Sequence, residues 1–166
     1  MIIRDETESD AEAICEVTKR AFEDHPYSRQ TEQSIIDALR AANALTISRV
    51  AEIDGKVVGH IAFSPVTVSD GSHEWYGIGP VSVLPEFQGQ GIGKSLVNDG
   101  LALLKARGGE GCVLVGGPQF YKRFGFRNFP ELILEGVPQE NFLAYPFREK
   151  VPHGSVTFHP GFSAEG

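Results

Sequence analysis

Val83-Leu84-Pro85-Glu86-Phe87-Gln88-Gly89-Gln90-Gly91-Ile92-Gly93-Lys94-Ser95 is the stretch on which the fold turns. It follows an alternating run from Trp75 through Leu84 and leads into an apolar stripe of Gly93, Leu96, Val97, Gly100, Leu101 and Leu104, so it joins a strand to an amphipathic helix. Gly108-Gly109 ends that helix, and the unbroken apolar Cys112-Val113-Leu114-Val115 beyond it reads as a strand covered on both faces. Strand, helix and strand in this order make a βαβ crossover with parallel strands.

Upstream, Leu45 to Val50 alternates, Asp54-Gly55 separates it from Lys56 to Phe63, and Asp70-Gly71 leads on to Trp75. Aspartate-glycine pairs between alternating runs signal hairpins, so three strands form an antiparallel meander that feeds the crossover. The expected class is therefore α/β with a mixed, α+β-like sheet. Before the meander, Ile2-Ile3 suits a short strand, and Ser9 and Glu12 are spaced as a capping box for a helix carrying Ile14, Val17, Ala21 and Phe22. His25-Pro26-Tyr27-Ser28 interrupts it before a second helix with Ile35, Ala38, Leu39 and Ala42, the two pairing as a flap. Pro118 opens a short helix that Gly125 ends, and Leu132 to Leu134 and Phe142 to Phe147 suit edge strands. Without repeats or a linker, the chain reads as one domain over 1–166, with its core in 2–147 and a C-terminal extension in 148–166.

Of the 166 residues, 41% are hydrophobic and 22% charged, the balance of a globular protein. The formal net charge of -7 argues against broad capture of nucleic acid or anionic membrane. Two cysteines, Cys15 and Cys112, are too few for a disulfide framework or a zinc site and read as core fillers, so no metal is expected. The acidic opening lacks the plan of a signal peptide, and no apolar run nears the ~20 residues of a bilayer span, which makes the cytoplasm the expected location.

Gly89, Gly91 and Gly93 place bare backbone N–H groups at a helix N-terminus, a geometry that holds phosphate. The same glycines also suit a helix cap or a tight turn. A dinucleotide fingerprint would need glycine where Lys94 stands, and a P-loop, although Gly93-Lys94-Ser95 fits its close, would need glycine at Gln88. Q/R-x-x-G-x-G/A after a strand ending V-x-P is matched in full. Here the chain resembles the GNAT superfamily of acyl-CoA-dependent N-acetyltransferases. Phe120-Tyr121-Lys122-Arg123-Phe124-Gly125-Phe126 looks like that superfamily's Y-x-x-x-G-F element, and the resemblance runs from Ile2 to about Phe147.

The resemblance implies a sheet with helices on both faces, whose crossover strands splay beyond a bulge to admit the pantetheine arm. Gly79-Pro80 supplies a bulge. By position, main-chain groups of Val81, Ser82 and Val83 would meet pantetheine and thioester. Gln88, Gly89, Gln90, Gly91, Ile92, Gly93 and Lys94 would hold the pyrophosphate of acetyl-CoA or CoA. Lys94 equally suits a solvated helix position. The implied reaction is direct attack of a primary amine on the thioester, the amine belonging to a small molecule, an amino acid or a peptide.

Tyr121 aligns with the tyrosine that protonates the departing thiolate, although an aromatic packing role also fits it. Some members carry a glutamate at the position of Gly77; Glu74 is the nearest acid here and the candidate base, with His73 beside it. The asparagine many members place after the fifth strand is absent from Gly116-Gly117-Pro118-Gln119. Lys122, Arg123 and Arg127 suit a phosphate or a solvated face, His159 a pocket or the surface, and His25, Tyr27 and Arg29 an acceptor loop or a polar connection. Superfamily members often form dimers, so a homodimer is a further expectation. Two other classes stand beside the enzyme: a catalytically weak acyl-CoA-binding regulatory module, and a P-loop nucleotide hydrolase.

Overall fold

The computed structural model describes residues 1–165. Its strands are β1 (Ile2–Asp5), β2 (Ile47–Ile53), β3 (Lys56–Val68), β4 (Trp75–Val83), β5 (Gly111–Val115), β6 (Leu132–Ile133), β7 (Phe142–Pro146) and β8 (Gly154–Phe158). Six are hydrogen-bonded in the order β1-β2-β3-β4-β5-β7, while β8 pairs with β3 and with β6 off that path. Along the six, every neighbour is antiparallel except β4 and β5, which are parallel. The mixed sheet is thus a meander continued by a crossover.

The turns follow local chemistry. Asp54 (φ 49°) and Gly55 (φ 79°) are both left-handed, the two-residue connection whose twist suits a hairpin. Asp70-Gly71 instead lies within a longer loop, 69–74, where the Asp70 carboxylate accepts from the backbone N–H groups of Ser72 and His153 at 2.9 Å each. That carboxylate is thereby occupied in tethering the C-terminal segment.

Helix α1 (Ala11–Phe22) starts one residue later than a Ser9 cap implies and is led in by a 3-10 turn at Glu8–Asp10 whose cap is Thr7. Asp10 Oδ2 accepts the Thr7 N–H at 2.7 Å, and the Asp10 N–H returns to Thr7 O at 2.9 Å, so the box is formed by Thr7 and Asp10. The same carboxylate takes Arg4 at 2.7 Å, which ties the helix start to β1 and holds the Asp10 pKa well below the usual carboxylate range. Helix α2 (Glu32–Ala41) is no flap: Ile36 and Leu39 are fully buried, whereas Ile35 and Ala38 are half-buried and Ala42 lies exposed past its end.

Helix α3 (Ile92–Ala106) buries Ile92, Leu96, Val97, Gly100, Leu101 and Leu104, with Gly93 only half-buried at the mouth of the loop. It lies on the face carrying Gly59 and Phe63: a Cβ on Gly100 would stand 2.4 Å from the Phe63 ring, and one on Gly59 3.0 Å from Leu96. Helices α1 and α2 cover the other face. A smaller cluster of Val66, Trp75, Val113, Phe129, Leu132, Phe142 and Val156 closes the sheet beyond. Val156 comes from β8, so the C-terminal extension completes a core that the sequence reading ended at Phe147. No helix among the described residues is long and apolar enough to cross a membrane.

Candidate functional site

β4 and β5 pair only at Trp75, Tyr76 and Gly77 against Gly111, Cys112 and Val113. Beyond Gly77 both strands continue unpaired with each other, so the edge of β4 from Ile78 to Val83 faces a gap. The divergence begins at an irregularity: Ile61 pairs Val81 and Phe63 pairs Ile78, leaving Gly79 and Pro80 opposite the single Ala62. Gly79 takes φ 139°, and Pro80 has no N–H to offer a ladder, so this dipeptide bends the strand at little cost. Val81 and Val83 are half-buried beside the gap, and Ser82 turns its side chain inward with 1% exposure.

The gap opens toward the N-terminus of α3. Gln88 Nε2 donates to Val83 O at 3.0 Å and folds the loop back on β4. Gly89 (φ 79°) and Gly91 (φ 84°) are left-handed, and a Cβ on either would meet nothing within 4 Å, so their glycines serve backbone conformation and leave the space above them clear. The first N–H to find a carbonyl is that of Ser95, on Gly91 O at 3.0 Å. Among the described residues, those of Gly89 through Lys94 have no protein acceptor, and they lie at the positive end of a helix dipole. Those groups suit an anion such as a pyrophosphate. Lys94 is exposed at the same end.

Tyr121 stands at the end of β5, on the short helix α4 (Pro118–Tyr121) that continues as one 3-10 turn to the left-handed Gly125. Its ring lies on Gly116, where a Cβ would be 2.6 Å from Tyr121 Cε2, and meets Phe120 and Phe126 edge-on at 4.9 and 6.0 Å. Burial raises its pKa, so the phenol is protonated at neutral pH. The need for glycine at 116 escapes sequence reading, although the Gly116-Gly117 pair is its only trace. Asn141 fastens this corner from the far side: Gly116 N–H donates to Asn141 O at 2.9 Å, and Asn141 Nδ2 donates to Gly116 O at 3.3 Å.

The structure does not bring Glu74 to this place. It precedes β4 at the opposite end of the strand, seven residues and roughly 20 Å from Val81 at strand rise. Its carboxylate accepts the Tyr76 hydroxyl at 2.6 Å, and burial together with this bond pushes Tyr76 up to about 12. With His73 it lines a separate open cavity of about 500 Å³, walled also by Trp75, Glu110, Arg148 and Lys150. This is where the structure places the residue expected as base.

Arg123 and Arg127 lie over the rings of Phe120 and Phe129 at 4.9 and 4.7 Å, and Lys122 is exposed. His159 caps a turn, its Nδ1 accepting the Gly161 N–H at 3.0 Å. His25 and Tyr27 sit in the α1–α2 loop, Tyr27 91% exposed and His25 Nδ1 accepting the Tyr27 N–H at 3.3 Å. Among the described residues no group of three or more His, Cys, Asp or Glu could hold a metal ion.

The profile of the Acetyltransferase (GNAT) family matches residues 11–126. "Uncharacterized N-acetyltransferase YhbS" of Escherichia coli strain K12 is 38% identical over 127 residues, 76% of this chain and 73% of that protein. A GNAT family acetyltransferase from Brucella melitensis, solved in complex with acetyl-CoA, superposes with a TM-score of 0.88 at 48% identity over 98% of this chain and 97% of that one. YhbS from Escherichia coli, solved in complex with CoA, gives a TM-score of 0.90 at 32% identity over 99% of this chain and 93% of that one.

Proposed function

The chain belongs to the GNAT family of acetyltransferases, whose activity is acyl transfer from CoA, and from that premise we propose that it moves an acetyl group from acetyl-CoA to a primary amine of a small molecule, amino acid or peptide. The observation that carries the reading is the glycine-rich loop of unpaired N–H groups standing at the mouth of the β4–β5 gap, with open space over Gly89 and Gly91.

In this reading Gly89, Gln90, Gly91, Ile92, Gly93 and Lys94 hold the pyrophosphate through main-chain N–H groups, and Gln88 keeps the loop closed on Val83. Val81, Ser82 and Val83 offer main-chain groups to pantetheine and thioester; the buried Ser82 side chain points away from that task. An amine attacks the thioester carbonyl, and a strand N–H near Val83 stabilises the oxyanion. The C–S bond then breaks, and Tyr121 gives its phenolic proton to the departing thiolate. No carboxylate is needed if the amine arrives neutral or passes its proton to water.

One observation favours a second reading, an acyl-CoA-binding module with little turnover: Gly77, beside the bulge, carries no side chain, and Glu74 is remote. Thermal unfolding with acetyl-CoA, CoA and ATP-magnesium in parallel tests both. A ligand at 100 times its dissociation constant stabilises the fold by about 2.7 kcal/mol. A shift with the CoA species alone, followed by acetylation of any amine in a screen, supports the enzyme. A CoA shift without turnover supports the module, and a response to ATP-magnesium alone sinks both.

A further inference from the structure

The open cavity beside Glu74 lies outside the acyl-transfer site. Its walls come from three places in the chain: the loop and strand start at 70–75, Glu110 just before β5, and 148–152 after β7. Trp75 and Gly111 form the first rung between β4 and β5, so the cavity sits at the paired end of these strands, where the gap is closed. The nine residues of β4 put Val83 roughly 25 Å from Trp75 at strand rise. A ligand in this cavity is therefore not the amine that meets the thioester.

The walls are tied to one another. Asp70 accepts from the N–H groups of Ser72 and His153, and Glu74 O accepts the Glu110 N–H at 2.8 Å. Glu74 itself is left-handed at φ 62°, a strained backbone for a residue with a β-carbon, and such strain gathers at ligand sites. Charge on the walls is matched with one exception of each sign. Arg148 Nε meets Glu110 at 3.1 Å. The Asp70 carboxylate is occupied by main-chain donors, His153 foremost and then Ser72, which with a lesser pull from Lys150 lower its pKa to about 2. Glu74, by contrast, takes only the uncharged Tyr76 hydroxyl at 2.6 Å. Lys150 is exposed and, among the described residues, takes part in no ion pair or side-chain hydrogen bond.

We propose that this cavity binds a compact zwitterion, an α-amino acid, whose ammonium meets Glu74 and whose carboxylate meets Lys150. Each wall group supplies one charge, so a molecule carrying only one of the two leaves the other group unanswered. A volume of about 500 Å³ admits a ligand of that size, and Trp75 and Pro152 offer its carbon atoms an apolar wall. The bound amino acid joins the 70–75 segment to 148–152 beside the rungs that hold β4 to β5. It is a second ligand of the protein and not its acceptor, and the site stands whether or not the chain transfers an acyl group.

Trp75 is the chain's only tryptophan, which gives the cavity its own optical probe. Its emission is followed in the full chain, without CoA, while each standard amino acid other than tryptophan is titrated singly. At least one is expected to shift the emission saturably. Its α-amide, which lacks the negative charge, and its N-acetyl derivative, which lacks the positive one, are expected to bind at least tenfold more weakly. Glu74→Gln and Lys150→Gln are each expected to weaken binding at least tenfold; both side chains are exposed, so both variants should melt with the parent. The comparison of analogues needs no variant and decides the matter even if one fails to fold. Emission unmoved by every amino acid, an amide or N-acetyl derivative that binds as well as the amino acid itself, or undiminished affinity in either variant overturns the proposal.

Discussion

Tyr121 reaches the end of β5 because residue 116 has no side chain: any Cβ there would displace its ring. A phenol held in this way, with its pKa raised by burial, is suited to give a proton to a leaving thiolate and unsuited to accept one. Tyr121→Phe preserves the ring contacts with Phe120 and Phe126 and removes only the hydroxyl. The variant is expected to bind acetyl-CoA as the parent does while kcat falls by ~10²-fold or more, checked by calorimetry beside steady-state rates. Unchanged turnover would leave Tyr121 a packing residue. The motif made Tyr121, Gly89 and Gly91 legible in the sequence. The reasons for Gly77 and Gly116 were not, since each makes way for a ring whose arrival depends on tertiary packing. Glu74 is close to Gly77 along the chain yet sits before the far end of β4 from the glycine loop, because each strand residue adds about 3.3 Å.

The secondary elements divide along the same line between local and long-range information. The α3 stripe was readable because fifteen residues give several turns of periodic signal. Helix α2 has ten residues and adjacent isoleucines at 35 and 36, so its phase was open; the main core takes Ile36, and Leu39 packs against Gly161 of the tail. β8 left the weakest trace: five residues whose partner in β3 lies about ninety positions earlier. Its pairing is a tertiary fact, and so is the Phe158 ring it lays on Gly77. The dependence of α3 on close approach gives a test at this scale. Gly100→Ala would place a methyl within the Phe63 ring, which is fully buried and has no free volume to retreat into. Overpacking of this kind costs about 1–3 kcal/mol, read as a lower denaturant midpoint at constant m. An unchanged midpoint would mean that α3 can lift from the sheet, and the anion loop at its N-terminus would then be less firmly placed than described.

Four polar side chains from distant parts of the molecule meet inside it, and they couple its stability to pH. Arg40 of α2 donates to Glu6, just past β1, through Nε at 3.1 Å and Nη2 at 3.0 Å. Ser48 of β2 donates to the same carboxylate, which has no proton to give, so Ser48 Oγ must accept from His60 Nε2 of β3 at 2.7 Å. Burial works to raise the Glu6 pKa, but the bonds from Arg40 and Ser48 prevail and it ends below its usual value. His60 is thereby held with its proton on Nε2, and its Nδ1 is buried without a partner. Desolvation dominates its titration, against the attraction of Glu6 and with the repulsion of Arg40, and lowers it to about 4. At neutral pH its 4.0 Å approach to Glu6 is therefore no ion pair. The folded state thus refuses a proton that the unfolded chain accepts near 6.5, so stability is fully present above that value and is lost as pH falls toward 4. Between pH 7 and pH 5 the loss from this one histidine is about 2 kcal/mol. Melting temperature measured across pH 5 to 8 is expected to be flat above about 7 and to decline below 6.5. In His60→Gln, whose amide can still donate to Ser48, the decline between pH 6.5 and pH 5 should largely vanish. A parallel decline in the variant would place the acid sensitivity in the carboxylate pairs, Asp10 with Arg4 and Glu6 with Arg40, and not in the buried imidazole.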